Sequence, residues 1–128
     1  RGFTIGSHTR THASLPMECA AIAESELRGS KAVLEQRLGE PIHHFAYPGG
    51  QFTPAVVEIL ARVGYRYGYT ACPHRDPRHP ELTIERLLLW QGSSIDGGGR
   101  FSEAIFDCQI RNLWPPARVC QRAHASPS

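Results

Sequence analysis

The chain has 128 residues, 41% of them hydrophobic and 20% charged, with a formal net charge of +2 at pH 7. That length suggests one domain burying roughly two-thirds of its unfolded surface, and the composition is that of a soluble globular protein. Dispersed arginines with a single lysine, Lys31, give no argument for nucleic acid or an acidic surface, and no apolar run of about 18 residues offers a membrane span.

The sequence opens Arg1-Gly2-Phe3 without an initiator methionine, which reads as part of a longer product; an upstream signal or anchor stays open, and so does the compartment. Arg1 to Gly6 is expected to form a strand running into a Gly6-Ser7 turn. His8 and His12 follow, four residues apart. On a helical turn, i and i+4 side chains share a face about 5–6 Å apart. Two neutral imidazoles so placed can reach one divalent cation of the zinc type at about 2.0–2.1 Å per nitrogen. The plain alternative is a pair of polar residues at a solvated helix start.

Pro16 to Leu38 is predicted as a helix, with Ile22, Leu27, Val33, Leu34 and Leu38 as an imperfect apolar stripe. Pro16 suits the first turn, Glu18 the positive helix end and Gly39 the stop, while Gly29 costs about 1 kcal/mol against alanine. Ile42 to Tyr47 reads as a strand closed by Pro48-Gly49-Gly50. Thr53-Pro54 is a cap and first-position pair. Val56, Val57, Leu60 and Val63 form the buried face of the helix they start, and Gly64 ends it.

Tyr65 to Thr70 is predicted as a strand, Cys72 to Glu81 as a polar loop with three prolines, Thr83 to Trp90 as a further strand and Ser93 to Arg100 as a Gly-rich loop. Ser102 caps a last helix reaching about Leu113, with Ile105, Phe106, Ile110 and Leu113 inward, and Pro115-Pro116 stops it. The expected organisation is a domain over residues 1–114 and a polar, loose tail over 115–128. Strands alternating with helices imply a mostly parallel α/β sheet. Four strands cannot close an eight-stranded barrel, so the opening strand calls for neighbours outside the chain. Cys19, Cys72, Cys108 and Cys120 contain no C-x-x-C pair, which argues against a cysteine zinc site and leaves thiols and disulfides both open.

Three segments in order resemble the polysaccharide deacetylase family, also called the NodB homology domain or carbohydrate esterase family 4. Ile5-Gly6-Ser7-His8-Thr9-Arg10-Thr11-His12 matches its H-[ST]-x-x-H metal motif. Phe45-Ala46-Tyr47-Pro48-Gly49-Gly50 is similar to its groove motif in the F-A-Y-P form. Val63-Gly64-Tyr65 through Tyr69-Thr70 is like the strand after the next helix, and Glu35-Gln36-Arg37-Leu38-Gly39 fits the helix end between them. The resemblance covers roughly residues 1 to 90. It implies a partial, distorted (β/α) barrel lacking its N-terminal strands, and metal-dependent removal of acetyl groups from an acetylated glycan.

By the same resemblance His8 and His12 are the metal ligands, Gly49 supplies a backbone oxyanion donor, and Tyr47, Pro48, Gly50 and Arg86 line the substrate groove. The family's two aspartates, the general base and the third ligand, belong to an upstream segment absent from these residues; Asp76, Asp96 and Asp107 lack that context. Ala46 stands where many members carry arginine, and Leu87-Leu88-Leu89-Trp90 shows no general-acid histidine. These departures imply an inactive fragment, and they keep alive a non-catalytic carbohydrate-binding domain and a plain structural α/β piece.

Each remaining candidate has a bland reading. His43 and His44 alternate across a strand, so at most one faces a site. His74, His79 and the tail residue His124 read as solvated. Tyr47, Trp90 and Trp114 can be core or cap aromatics. Arg86 divides between a structural ion pair and a substrate contact.

Overall fold

The computed structural model describes residues 2–87, 89, 92–111 and 113. It divides into two compact units, one comprising the described residues up to Arg86 and the other beginning at Leu87. In the first unit four strands, β1 (Gly6–Ser7), β2 (His44–Ala46), β3 (Tyr67–Thr70) and β4 (Ile84–Glu85), lie in the order β1-β2-β3-β4, every pair parallel. Helix α1 (Ala20–Leu38) joins β1 to β2, and α2 (Pro54–Val63) joins β2 to β3. The mixed α/β class and the parallel sheet are as the alternation of elements predicts, and a partial barrel is consistent with them.

The strands are shorter than expected. Residues 2–5 are exposed, and pairing is confined to Gly6↔His44 and Ser7↔Phe45, so the first strand starts where its predicted turn was placed. A strand ends where its partner ends, whatever the β-propensity of the flanking residues.

Helix α2 follows its local signals. The Thr53 hydroxyl accepts from the Val56 N–H at 3.3 Å, Pro54 opens the helix, and Gly64 ends it in the left-handed region at φ 91°. Val56, Val57, Leu60 and Val63 are buried as the spacing requires, and Ile59 joins them.

Helix α1 departs from its reading. Residues Leu15–Met17 form a separate 3₁₀ turn containing Pro16, and the α-helix begins only after Cys19. Ile22, Val33 and Leu38 face solvent, and the inward row is Ala23, Leu27 and Ser30, with Leu34 partly covered. Small and polar side chains take this face because β1 and the segment after it lie close against it. Lys31 donates to Glu35 Oε1 at 2.6 Å and to the Ile42 carbonyl, and the Ile42 N–H donates to the same carboxylate oxygen at 2.9 Å. That clip fixes the approach to β2. Phe45, Tyr47, Tyr65, Leu27, Val57 and Leu60 fill the core between sheet and helices.

In the second unit α3 (Glu103–Ile110) is capped by Ser102, whose hydroxyl accepts from the Ile105 N–H at 3.3 Å. Its inward residue is Gln109, which accepts from Ser94 Oγ at 2.7 Å and donates to the Ser93 carbonyl. Ile105 and Phe106 are half-buried, whereas Ile110 and Leu113 are exposed, contrary to the predicted face. Leu88, Trp90, Trp114, Pro115-Pro116, Cys120, His124 and the predicted tail lie outside the described residues.

Gly50 is the glycine this fold can least replace. It is buried at φ 70°, and a Cβ there would stand 2.2 Å from the Ala71 Cβ. Gly64 has a similar backbone but open space around it. We expect Gly50→Ala to cost about 3 kcal/mol or more and Gly64→Ala about 1–2 kcal/mol, because only the first adds overpacking to left-handed strain. Urea denaturation of both variants checks this; equal losses would mean that contact with Ala71 is unimportant.

Candidate metal centre

His8 directly follows β1, at the carboxyl end of the parallel sheet, where βα loops commonly carry sites. The expected helical turn does not form. Thr9 and His12 both take left-handed backbone, with φ of 64° and 62°. The two imidazoles still come together, with ring centroids 4.9 Å apart and planes at 70°. A folded-back loop, rather than helical periodicity, sets their approach.

Non-glycine residues pay roughly 1–2 kcal/mol each for left-handed backbone, so something must hold this loop. Glu26 of α1 does so. Its Oε2 accepts from the Arg10 N–H at 2.8 Å and the Thr11 N–H at 2.9 Å, and its Oε1 accepts from the Thr11 hydroxyl at 3.1 Å. The Thr9 hydroxyl donates to the His8 carbonyl at 2.6 Å. Burial alone would raise the Glu26 pKa, but the bonds from Thr11 and Arg10 outweigh it and hold the carboxyl below its ordinary value. On the same turn Gly29 makes room for the Arg10 side chain: a Cβ there would stand 2.4 Å from Arg10 Cδ. Ser30 accepts from the buried Ser7 hydroxyl at 2.7 Å.

His8 Nδ1 lies 2.6 Å from the Ala46 carbonyl oxygen. A carbonyl only accepts, so Nδ1 carries the proton and Nε2 presents its lone pair, the tautomer a metal-ligating histidine needs. Both rings are exposed. Among the described residues no group of three or more His, Cys, Asp or Glu side chains is placed to hold a metal. The three aspartates serve elsewhere. Asp76 is buried and accepts from the Arg78 and His79 N–H groups, Asp96 accepts from those of Gly98 and Arg100, and Asp107 pairs with Arg111.

The groove residues divide by burial. Gly49 is exposed at φ 61°, with open space where a side chain would stand. Pro48 and Gly50 are buried. Tyr47 is 0% exposed, its hydroxyl donates to the Leu82 carbonyl at 2.9 Å, and burial pushes its phenol far above the ordinary value. Tyr47 is thus a core residue, and its ring has no face to offer a sugar. Arg86 donates from Nη2 to the Tyr47 carbonyl at 3.1 Å and from Nε to the Thr70 carbonyl at 3.3 Å, tying the ends of β2 and β3 together. Among the described residues its side chain donates to main-chain carbonyls and forms no ion pair, the structural one of the two roles between which the sequence divided.

The family's sequence profile, described as polysaccharide deacetylase, matches residues 1–68, just over half of the chain. The chain belongs to the polysaccharide deacetylase family. No curated protein sequence matches it. Among solved structures it is similar to the Streptococcus pyogenes deacetylase PplD in complex with acetate, with 26% identity and a TM-score of 0.58 over 63% of this chain and 36% of that one. A polysaccharide deacetylase from Bacillus cereus is similar at 33% identity and a TM-score of 0.54, over 62% of this chain and 26% of that one. The chain thus spans about a quarter to a third of the length of these relatives.

Beside the histidine pair, the chain holds a cavity of about 380 Å³ lined by Thr4, Ser7, His8, His44, Ala46 and Tyr69 among others. His44 enters it as the inward member of the His43-His44 pair, with Nδ1 2.8 Å from the Tyr69 hydroxyl and its ring stacked on Tyr67 and Tyr69. His43 turns the other way. Its Nδ1 is buried without a partner among the described residues, and desolvation with the nearby Arg66 and Lys31 cations lowers its pKa. His79, read as solvated, is half-buried between Glu58 and Glu81; His74 is exposed, with Nδ1 3.2 Å from Cys72 Sγ. Cys19 and Cys108 are free thiols.

Glu26 was missed by the sequence reading because its partners are main-chain groups, although a carboxylate beside the buried helix row was a visible signal. Its lowered pKa sets a pH window. The clamp is whole above the ordinary carboxylate value of about 4.3 and is lost as pH falls through the lower folded value. NMR amide shifts of Arg10 and Thr11 should therefore titrate together with a midpoint below about 4.3. A midpoint above that value would exclude the carboxylate as their acceptor.

Proposed function

We propose that the protein acts as a metal-dependent carbohydrate deacetylase, with His8 and His12 holding a divalent cation of the zinc type. The observation that carries this reading is the His8–Ala46 bond at 2.6 Å, which leaves Nε2 free as a ligand beside the His12 ring. Two exposed neutral imidazoles suit such a cation. A bound cation supplies Lewis acidity to the acetyl carbonyl and to the attacking water. The substrate we assign is an acetylated glycan, with the acetyl on nitrogen or oxygen.

The chain's own residues do the rest of what we assign to them. Gly49, exposed and without a side chain, lets a sugar approach the main chain, and its N–H serves as oxyanion donor. Such a donor contributes about 2.7–4 kcal/mol to barrier lowering. Arg86 and the Tyr47 hydroxyl act at one remove, by holding the turn that carries Gly49. Pro48 and Gly50 shape that turn from within. The third ligand and the general base are aspartates in the family pattern, and residues 1–128 contain no matching segment, so we expect the isolated chain to be inactive.

Metal uptake tests the assignment. The chain should take up zinc, measured by competition with a chromophoric chelator, and His8→Ala and His12→Ala should each lose that uptake with unchanged circular dichroism. Equal uptake by the His8→Ala variant would remove the metal pair. Hydrolysis of an N-acetylglucosamine oligomer by the zinc-supplied 128-residue chain at rates typical of enzymes, about 1 per second or faster, would overturn the expected inactivity.

A further inference from the structure

We propose that Glu26 is a positioning residue for metal capture: by bonding both residues that link the loop's middle to its second histidine, it holds the His8 and His12 rings within ligating distance of each other. The inference rests on the reading of His8 and His12 as the metal pair. Glu26 is no ligand itself. All three of its hydrogen bonds go to Arg10 and Thr11, between the two histidines in sequence, at 2.8, 2.9 and 3.1 Å.

The need for such a clamp follows from the backbone. Thr9 and His12 sit at φ 64° and 62°, which a free loop of these residues would leave. Its other contacts do not prevent that. The Thr9–His8 bond is local and moves with the loop, and the His8–Ala46 bond fixes only the first ring. Glu26 hydrogen-bonds the main chain of the Arg10-Thr11 stretch to the rigid body of α1, where the Arg10 side chain only packs over Gly29. A carboxylate suits this because all its lone pairs accept. A glutamine can keep its oxygen on the two N–H groups and turn its NH₂ to the Thr11 hydroxyl, which also accepts, so it retains the geometry and loses the charge, whereas alanine removes the whole set.

This makes Glu26 the counterpart of a residue that orients a ligand from behind, a class whose loss typically weakens metal binding 10–100-fold. Its effect goes through geometry. The free ligands of a relaxed loop must be brought together at the moment of binding, and that ordering subtracts from affinity.

The test compares the chain with Glu26→Gln, Glu26→Ala and, as a milder probe, Thr11→Val, which removes the hydroxyl partner and leaves the carboxylate. Glu24→Gln, on the same helix and bonded instead to Arg28 and Arg62, is the control. Two quantities are read. The first, with chelator present, is the nuclear Overhauser contact between the His8 and His12 rings together with thermal unfolding. The second is the zinc dissociation constant by competition titration.

We expect Glu26→Ala to weaken zinc binding at least 10-fold and to lose the ring–ring contact while the metal-free unfolding midpoint holds, and Glu26→Gln to weaken it less. Thr11→Val should weaken binding a few-fold and Glu24→Gln should leave it unchanged. Should Glu26→Gln and Glu26→Ala fail to fold, the Thr11→Val and Glu24→Gln comparison decides. Glu26→Ala binding within twofold of the parent chain overturns the positioning role alone, and so does an undiminished ring–ring contact in that variant. A parent chain that takes up no zinc overturns the metal reading, and this inference falls with it.

Discussion

The structure around the site depends on one turn of α1 gripping the segment that follows β1. Glu26, Gly29 and Ser30 occupy neighbouring positions on that helix, and each meets a different part of residues 7–11. Ser30 takes the Ser7 hydroxyl, Gly29 lets the Arg10 side chain lie across the helix, and Glu26 accepts the Arg10 and Thr11 N–H groups. Read as helix sequence, all three are poor choices for an inward face. As a docking surface they are complementary: a hydroxyl for a hydroxyl, a gap for a side chain, a carboxylate for two amides.

The carboxyl ends of the strands are secured by a second device. Three main-chain carbonyls, those of Tyr47, Thr70 and Leu82, receive donors from Arg86 and Tyr47. Burying a guanidinium beside carbonyls costs solvation, and burial accordingly lowers the Arg86 pKa. The return is that the turn Pro48–Gly50 is fixed to both flanking strands. Residues that resemble groove-lining contacts in sequence thus serve one layer further back, and only Gly49 of the turn reaches solvent. In a parallel sheet this is economical, since every strand delivers its chain end to the same rim.

Where the determinant is local, it could be read without the structure. Thr53, Pro54 and Gly64 bound α2 by their own chemistry, and the 3.6-residue period of Val56, Val57, Leu60 and Val63 marks its inward face. The sheet and its parallel order follow from the alternation of elements. Where the determinant is a partner, the sequence misled. Ile22, Val33 and Leu38 suggested an apolar stripe, but the inward face of α1 is set by what lies against it. Gly29 read as a cost when its function is clearance. The first strand was placed on Arg1 to Ile5 by propensity, although pairing with β2 begins at Gly6. Tyr47 carries no label saying whether it meets a sugar or Leu82.

The histidine pair shows most directly how two rings can approach for a reason other than their spacing. Spacing of four brings side chains together on a helix at no conformational cost. Here the same approach is made by a loop with two left-handed residues, at a cost of a few kcal/mol if each contributes about 1–2. A helical pair would keep its geometry in isolation, whereas this pair keeps it only while α1 is docked. The consequence is that the geometry of the pair depends on the helix packing. Mutations on the buried turn of α1, some fifteen residues from the imidazoles, should reach the histidine pair more strongly than changes at the exposed positions beside it.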